Sequence, residues 1–198
     1  MTASGDGGGG GGGSCPEARE AGARGGVAGT ADTVPSPLLP AAAGSAVRRT
    51  HHYRATVTWT GNRGEGTRTY RAYSRDTEVS GEGKPAILAS SEPLFRGDAA
   101  RWSAEELLVA ALAQCHMLWF LHLSAEAGIT VVAYADSPEG TMVEHQDGSG
   151  EFQDATLHPR VTLEDPGRAA EAARLHQRAH ELCFIARSVN FPVRCEPA

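Results

Sequence analysis

Between residues 51 and 60 apolar and polar side chains alternate, with Tyr53, Ala55, Val57 and Trp59 on one parity. A period of two is the mark of a strand with one covered face, so a half-buried strand is expected here. Gly61-Asn62-Arg63-Gly64-Glu65-Gly66 is dense in turn formers, and residues 67–73 then read as the returning arm of a hairpin. Residues 85–90 give another short strand.

At Ser103 the pattern changes. Ser103 with Glu106 three residues on is a capping box, in which each residue satisfies an amide that the first helical turn leaves free. A helix is therefore expected from here to near Gly128, a suitable glycine just past its end. Its apolar residues cover almost the whole circumference, which predicts a central, buried helix. A bilayer span needs roughly 20 uninterrupted apolar residues. Gln114, His116 and His122 break this stretch, so a soluble core helix is the preferred reading and no membrane partner is expected.

Beyond Gly128, residues 129–134 read as a strand, 138–140 as a turn, 141–145 as a second strand and 151–163 as a third. Asp165 and Pro166 supply an N-cap and a first-turn proline for a second helix, along which Ala172, Leu175, Ala179, Leu182 and Ala186 recur at helical spacing. Residues 189–194 form a closing strand. The order predicts an α+β fold with mostly antiparallel sheets, a long buried central helix and a second helix.

Composition then trims the chain. Of its 198 residues, 1–48 hold a run of glycines at 7–13, many alanines and prolines, and almost no large apolar side chain before Leu38. Such a segment cannot bury enough surface to offset its conformational entropy, so it is expected as a disordered tail before a domain at 49–198. It lacks the basic start and continuous apolar stretch of a secretory signal, and a cytoplasmic location is expected. A net charge of -6 argues against a nucleic-acid partner, which would require a clustered basic surface.

Four cysteines in a cytoplasmic protein are not expected to form a static disulfide framework, so their positions matter more than their number. Cys15 falls in the tail and Cys195 three residues from the end, leaving Cys115 and Cys183 as the two expected to be held by a fold. Leu108, Ala111, Leu118 and His122 share the helix stripe of Cys115. A thiol packed there stays inert unless a cation favours its thiolate, because burial disfavours the charged form. Two glycine-bounded loops offer that cation, as Arg63 and Arg96. A weaker reading takes His176, His180 and Cys183, at i, i+4 and i+7, as metal ligands. One helix rarely completes a tetrahedral site alone, so no metal is expected.

The segment Ser103-Ala104-Glu105-Glu106-Leu107-Leu108-Val109-Ala110-Ala111-Leu112-Ala113-Gln114-Cys115 resembles the Asn-Pro-Glu-x-Leu-(Leu/Phe)-x-x-Ala-x-x-x-Cys signature of the OsmC/Ohr family. Cys183 falls where that family's second cysteine is expected, and the likeness spans about residues 51–198. The resemblance implies an OsmC-like intertwined homodimer that reduces hydroperoxides, organic ones above all. It implies Cys115 as the peroxide-attacking thiol, Cys183 as the resolving thiol, and Glu105 as the carboxylate that orients an activating arginine. Arg63 matches the Ohr-like position for that arginine, and Arg96 lies one residue from the OsmC-like position. No bound cofactor is implied, only an external dithiol reductant such as a lipoyl group. The chain departs from the pattern in having Phe184-Ile185 after Cys183, where many members have Pro-Val or Pro-Ile. The stretch after Cys115 is also bulkier, with His116, Met117, Trp119, Phe120 and His122. The alternatives are a non-enzymatic stress or binding protein on the same fold, or a His/Cys metal-binding protein, because fold alone does not fix activity.

Overall fold

The computed structural model describes residues 48–198. The expected tail, with Cys15, lies outside the described residues but for its last position. The first sheet is antiparallel, in the order β1 (Thr56–Trp59), β2 (Thr77–Ser80) and β3 (Ile87–Ala89), with Trp59 opposite Thr77.

Residues 67–73, expected as the returning arm, instead form a chain of turns. The Arg75 guanidinium donates to the carbonyls of Tyr70 and Tyr73, both at 2.9 Å, and lies over both tyrosine rings. This clamp curls the segment and passes the pairing to β2. Gly61 is required beneath it, because a Cβ there would lie 2.0 Å from the Ser74 carbonyl oxygen. The half-buried face expected for the first strand is also corrected. Val57 and Trp59 are 67% and 40% exposed, since no second layer among the described residues covers that face.

The long helix α1 (Ala104–Glu126) starts as the sequence predicts. Ser103 Oγ accepts from the Glu106 amide at 3.1 Å, and Glu106 Oε2 accepts from the Ser103 amide at 2.8 Å. A cap of this kind stabilises a helix by about 1 kcal/mol. Past its end, Gly128 takes the left-handed φ of 66° that glycine adopts without steric cost. The expectation of a helix buried on all sides needs correction. Leu112, Ala113, His116, Phe120, Leu123 and Ser124 form one buried stripe, whereas Leu118 is 57% exposed. The described residues supply neighbours for one side only. By length and composition α1 is apolar enough to cross a membrane; here its buried stripe packs on the second helix and the following strands.

After α1 come β4 (Val131–Ala135), β5 (Glu139–Glu144), β6 (Gly150–Leu157) and β7 (Arg160–Leu163). The single strand expected at 151–163 is therefore two. Buried Pro159 has no amide to donate and the His158 amide is drawn to Asp136 Oδ1 at 2.8 Å, so the chain leaves one sheet and joins another. β7 pairs with β4, and β6 with β5. Glu139 and Gly140, expected in a turn, already belong to β5.

Asp165 caps a short 3-10 turn at Pro166–Arg168, and α2 (Ala169–Leu182) follows with Ala172 and Ala179 buried against the fold. Ala186 lies beyond α2, in another 3-10 turn. β8 (Val193–Cys195) then pairs parallel with β6, setting Ala155 opposite Val193 and Leu157 opposite Cys195. Cys195 is thus held by the fold, contrary to its reading as a loose terminal residue. Leu112, Ala113, Ala155 and Leu157 make the core between α1 and this sheet, closed by Ile185, Val189, Phe191 and Val193. The architecture is α+β and mostly antiparallel, as expected.

Candidate thiol site

Cys115 sits mid-way along α1, half-buried, and Cys183 terminates α2 with 1% of its surface exposed. Both are free thiols, and they stand near enough to form an incipient disulfide pair. The chain turns extended at Cys183, with ψ of 110°, which ends the helix and aims its side chain inward. Its sulfur accepts the Ala186 amide at 3.4 Å. Burial, and then the hydrogen bond with Cys115, push the Cys183 thiol up to about 12.

The two thiols therefore differ in access, and the raised value of Cys183 withholds its thiolate near neutral pH. Alkylation by iodoacetamide at pH 8 should modify Cys115 at least about 100-fold faster than Cys183, because only the thiolate reacts and burial restricts the reagent. Cys183 reactivity should rise only as pH climbs toward its raised value. Peptide mass mapping over time checks this, and equal labelling would contradict the assigned difference.

The ring pair Trp119 and Phe184 meets edge to face at 5.5 Å. Each lies close in sequence to one thiol, Trp119 one helical turn past Cys115 and Phe184 directly after Cys183. Two of the positions at which the sequence departs from the OsmC/Ohr pattern thus form a single aromatic contact.

The other expected site residues lie elsewhere in the chain. Glu105 is in the first turn of α1, ten residues before Cys115 on an unbroken helix, an axial separation of about 15 Å. It borders an open apolar groove of about 1080 Å³ together with Val109, Met117, Met142 and Phe152. Arg63 and Arg96 are both exposed, and among the described residues no hydrogen bond or ion pair joins either to Glu105 or Cys115. Their loops are nonetheless well defined. Asn62 Oδ1 accepts from the amides of Gly64 and Gly66, at 2.9 and 3.0 Å. Arg96 has a left-handed φ of 66°, uncommon for a non-glycine residue. Its neighbour Gly97 leaves no room for a Cβ beside the Ser91 carbonyl.

A second cluster was not foreseen in the sequence. His116 Nε2 lies 3.0 Å from His176 Nδ1 and 3.4 Å from Cys195 Sγ, which is 4.0 Å from His176 Nδ1. Burial, reinforced by His176 and then His180, pulls His116 down to about 4; burial alone does the same to His176. Both imidazoles are neutral at pH 7. The face proposed from His176, His180 and Cys183 is thereby revised: His176 turns to His116 and Cys195, while Cys183 turns to Cys115. The available signal was the step from Cys115 to His116, which places His116 on the stripe of Phe120 and Leu123.

These observations define, first, an α+β protein with two free thiols paired between its long helix and the end of the next. A family model for OsmC-like proteins matches residues 97–197, and the chain belongs to that family. An OsmC-like protein of unknown function from Vibrio cholerae has a similar structure, with 32% sequence identity and a TM-score of 0.68 over 75% of this chain and 100% of that one. The organic hydroperoxide resistance protein of Elizabethkingia anophelis has the same fold at 16% identity, TM-score 0.56, over 76% of this chain and 99% of that one. So does OhrB of Bacillus subtilis, at 21% identity and TM-score 0.51 over 74% and 98%. No curated protein sequence matches the chain significantly.

Proposed function

We propose that the chain is a cysteine-based hydroperoxide reductase. The observation that carries this reading is the pairing of a half-exposed thiol, Cys115, with a buried one, Cys183, in a member of the OsmC-like family. The Cys115 thiolate attacks the distal oxygen of R–O–OH; the O–O bond breaks and R–O⁻ leaves, taking a proton to become the alcohol. Cys115 becomes a sulfenic acid, which Cys183 attacks to form the disulfide and release water. An external dithiol, such as a dihydrolipoyl group, reopens the bridge by exchange and is itself oxidised. Burial of Cys183 suits this order, since it meets the sulfenic sulfur but not bulk peroxide.

Trp119 and Phe184, which touch each other and lie within one turn of the thiols in sequence, support organic hydroperoxides over hydrogen peroxide as substrates. In the proposed cytoplasmic homodimer, the partner's first helical turn supplies Glu105, which orients the loop arginine that activates Cys115. Arg96 is the preferred candidate for it and Arg63 the second. Exposed Leu94, Trp102 and Leu118, at 78%, 52% and 57%, are apolar surface for the second copy to cover.

The direct test treats the reduced protein with one equivalent of tert-butyl hydroperoxide and maps the thiols by mass spectrometry. A Cys115–Cys183 bridge is expected, followed by turnover with dihydrolipoamide. Pairing of Cys115 with Cys15 or Cys195 would remove Cys183 from the resolving role, and failure to oxidise at all would favour a non-enzymatic protein on this fold.

A further inference from the structure

We propose that His116 Nε2, His176 Nδ1 and Cys195 Sγ are three ligands of a zinc site with an open fourth position, separate from the thiol pair. The three donor atoms lie within 4.8 Å of one another, and they come from three elements, α1, α2 and β8. Zn–N bonds of about 2.0–2.1 Å and Zn–S bonds of about 2.3 Å at tetrahedral angles separate two nitrogens by about 3.3 Å, and nitrogen from sulfur by about 3.6 Å. The two nitrogen–sulfur distances, 3.4 and 4.0 Å, straddle the value for a shared ion. The nitrogens, 3.0 Å apart on parallel rings, face each other, so the ion enters by replacing their shared proton and turning the two rings apart.

The protein alone leaves this cluster poorly satisfied. A single proton shared between the two facing ring nitrogens satisfies one contact of three, and the histidines are almost fully buried, at 0% and 5% exposure. Water does not compensate from all sides, and a dication satisfies all three donors together. Two imidazoles and one thiolate form a donor set suited to zinc. A cavity of about 390 Å³ bordered by His176, Gln177, His180 and Cys195 gives an ion access and holds room for a fourth ligand. His180, one turn beyond His176, has a buried Nδ1 with no hydrogen-bond partner in this structure. His180 lies outside the set of donors within 4.8 Å of one another, so a water from the cavity completes the site.

The bound ion would tie α1, α2 and β8 together one residue from Cys115. The inference does not rest on peroxide chemistry, and its test is independent of that activity.

The experiment uses the full chain, reduced and stripped by a chelator, then titrated with Co²⁺ as a spectroscopic probe. One Co²⁺ per chain is expected, with visible bands of a four-coordinate site and a near-ultraviolet thiolate charge-transfer band, and Zn²⁺ should displace it. Cys195→Ser should abolish the charge-transfer band and weaken binding at least about 10-fold, the range expected for losing a ligand. The double variant Cys115→Ser, Cys183→Ser should keep the full spectrum. His176→Gln, which preserves side-chain size, carries the test if Cys195→Ser loses its far-ultraviolet dichroism. Absence of Co²⁺ binding by the folded protein would overturn the proposal. So would a charge-transfer band that survives in Cys195→Ser but vanishes in the double variant, since that assigns the metal to the thiol pair.

Discussion

Replacing Cys115 by serine is expected to lower hydroperoxide turnover by about 1,000-fold or more, because an alcohol at neutral pH is a far weaker nucleophile than a thiolate. The exchange is nearly isosteric, and Cys115 contributes no capping bond or buried salt bridge to α1. Far-ultraviolet dichroism and the melting temperature should therefore stay close to the parent values. The measurement is steady-state reduction of tert-butyl hydroperoxide with dihydrolipoamide, alongside a stopped-flow record of thiol oxidation. Turnover within 10-fold of the parent would take Cys115 out of the mechanism. The parallel Cys183→Ser protein should still react once with peroxide and then accumulate the Cys115 sulfenic acid, which dimedone traps.

The second large effect concerns the distance along α1. Glu105 and Cys115 stand about 15 Å apart on a helix with no break, so no single chain brings both to one site. In a two-fold assembly each site draws its thiols from one copy and its carboxylate from the other. Glu105→Ala alone should then lower activity by roughly 10- to 100-fold, the loss expected when a charge-assisted hydrogen bond is removed. Mixed with inactive Cys115→Ser protein under subunit exchange, it should regain about a quarter of the parental activity. Random pairing puts half of the dimers in mixed form, each with one intact site. Light scattering should give about twice the chain mass of 20.8 kDa. A fully active monomer, or no recovery after demonstrated exchange, would show that the site is not shared.

Local signals in the sequence proved dependable where one segment determines its own geometry. Ser103 and Glu106 fix where α1 begins because both partners of the box lie within one turn, and Gly128 marks its end because few other residues take that φ. Failures came where a distant or third group decided the outcome. Residues 67–73 follow a turn and read as a returning arm, but Arg75 clamps that segment from beyond its end. Pro159 lies inside the stretch that reads as one long strand, and its missing amide ends the pairing there. The apolar circumference of α1 predicts burial, but composition states only what a surface favours and not which molecule covers it.

The site divides in the same way. Cys115 and Cys183 lie on different helices, so their proximity came from the resemblance and not from spacing. His116, His176 and Cys195 stayed hidden because the parallel β6–β8 pairing joins segments far apart in the sequence, and no local period encodes that contact.

That pairing also governs the order in which the molecule can assemble. A parallel partner cannot be reached by a hairpin, and here β7 and the whole of α2 must be traversed before Val193 arrives beside Ala155. Closing so large a loop forfeits entropy before any contact compensates, which places docking of β8 late on the folding path. Until it docks, Leu157 and its neighbours present an unpaired strand edge on which other chains can add. A truncation of Val193 at Cβ should accordingly speed unfolding while leaving the refolding rate nearly unchanged.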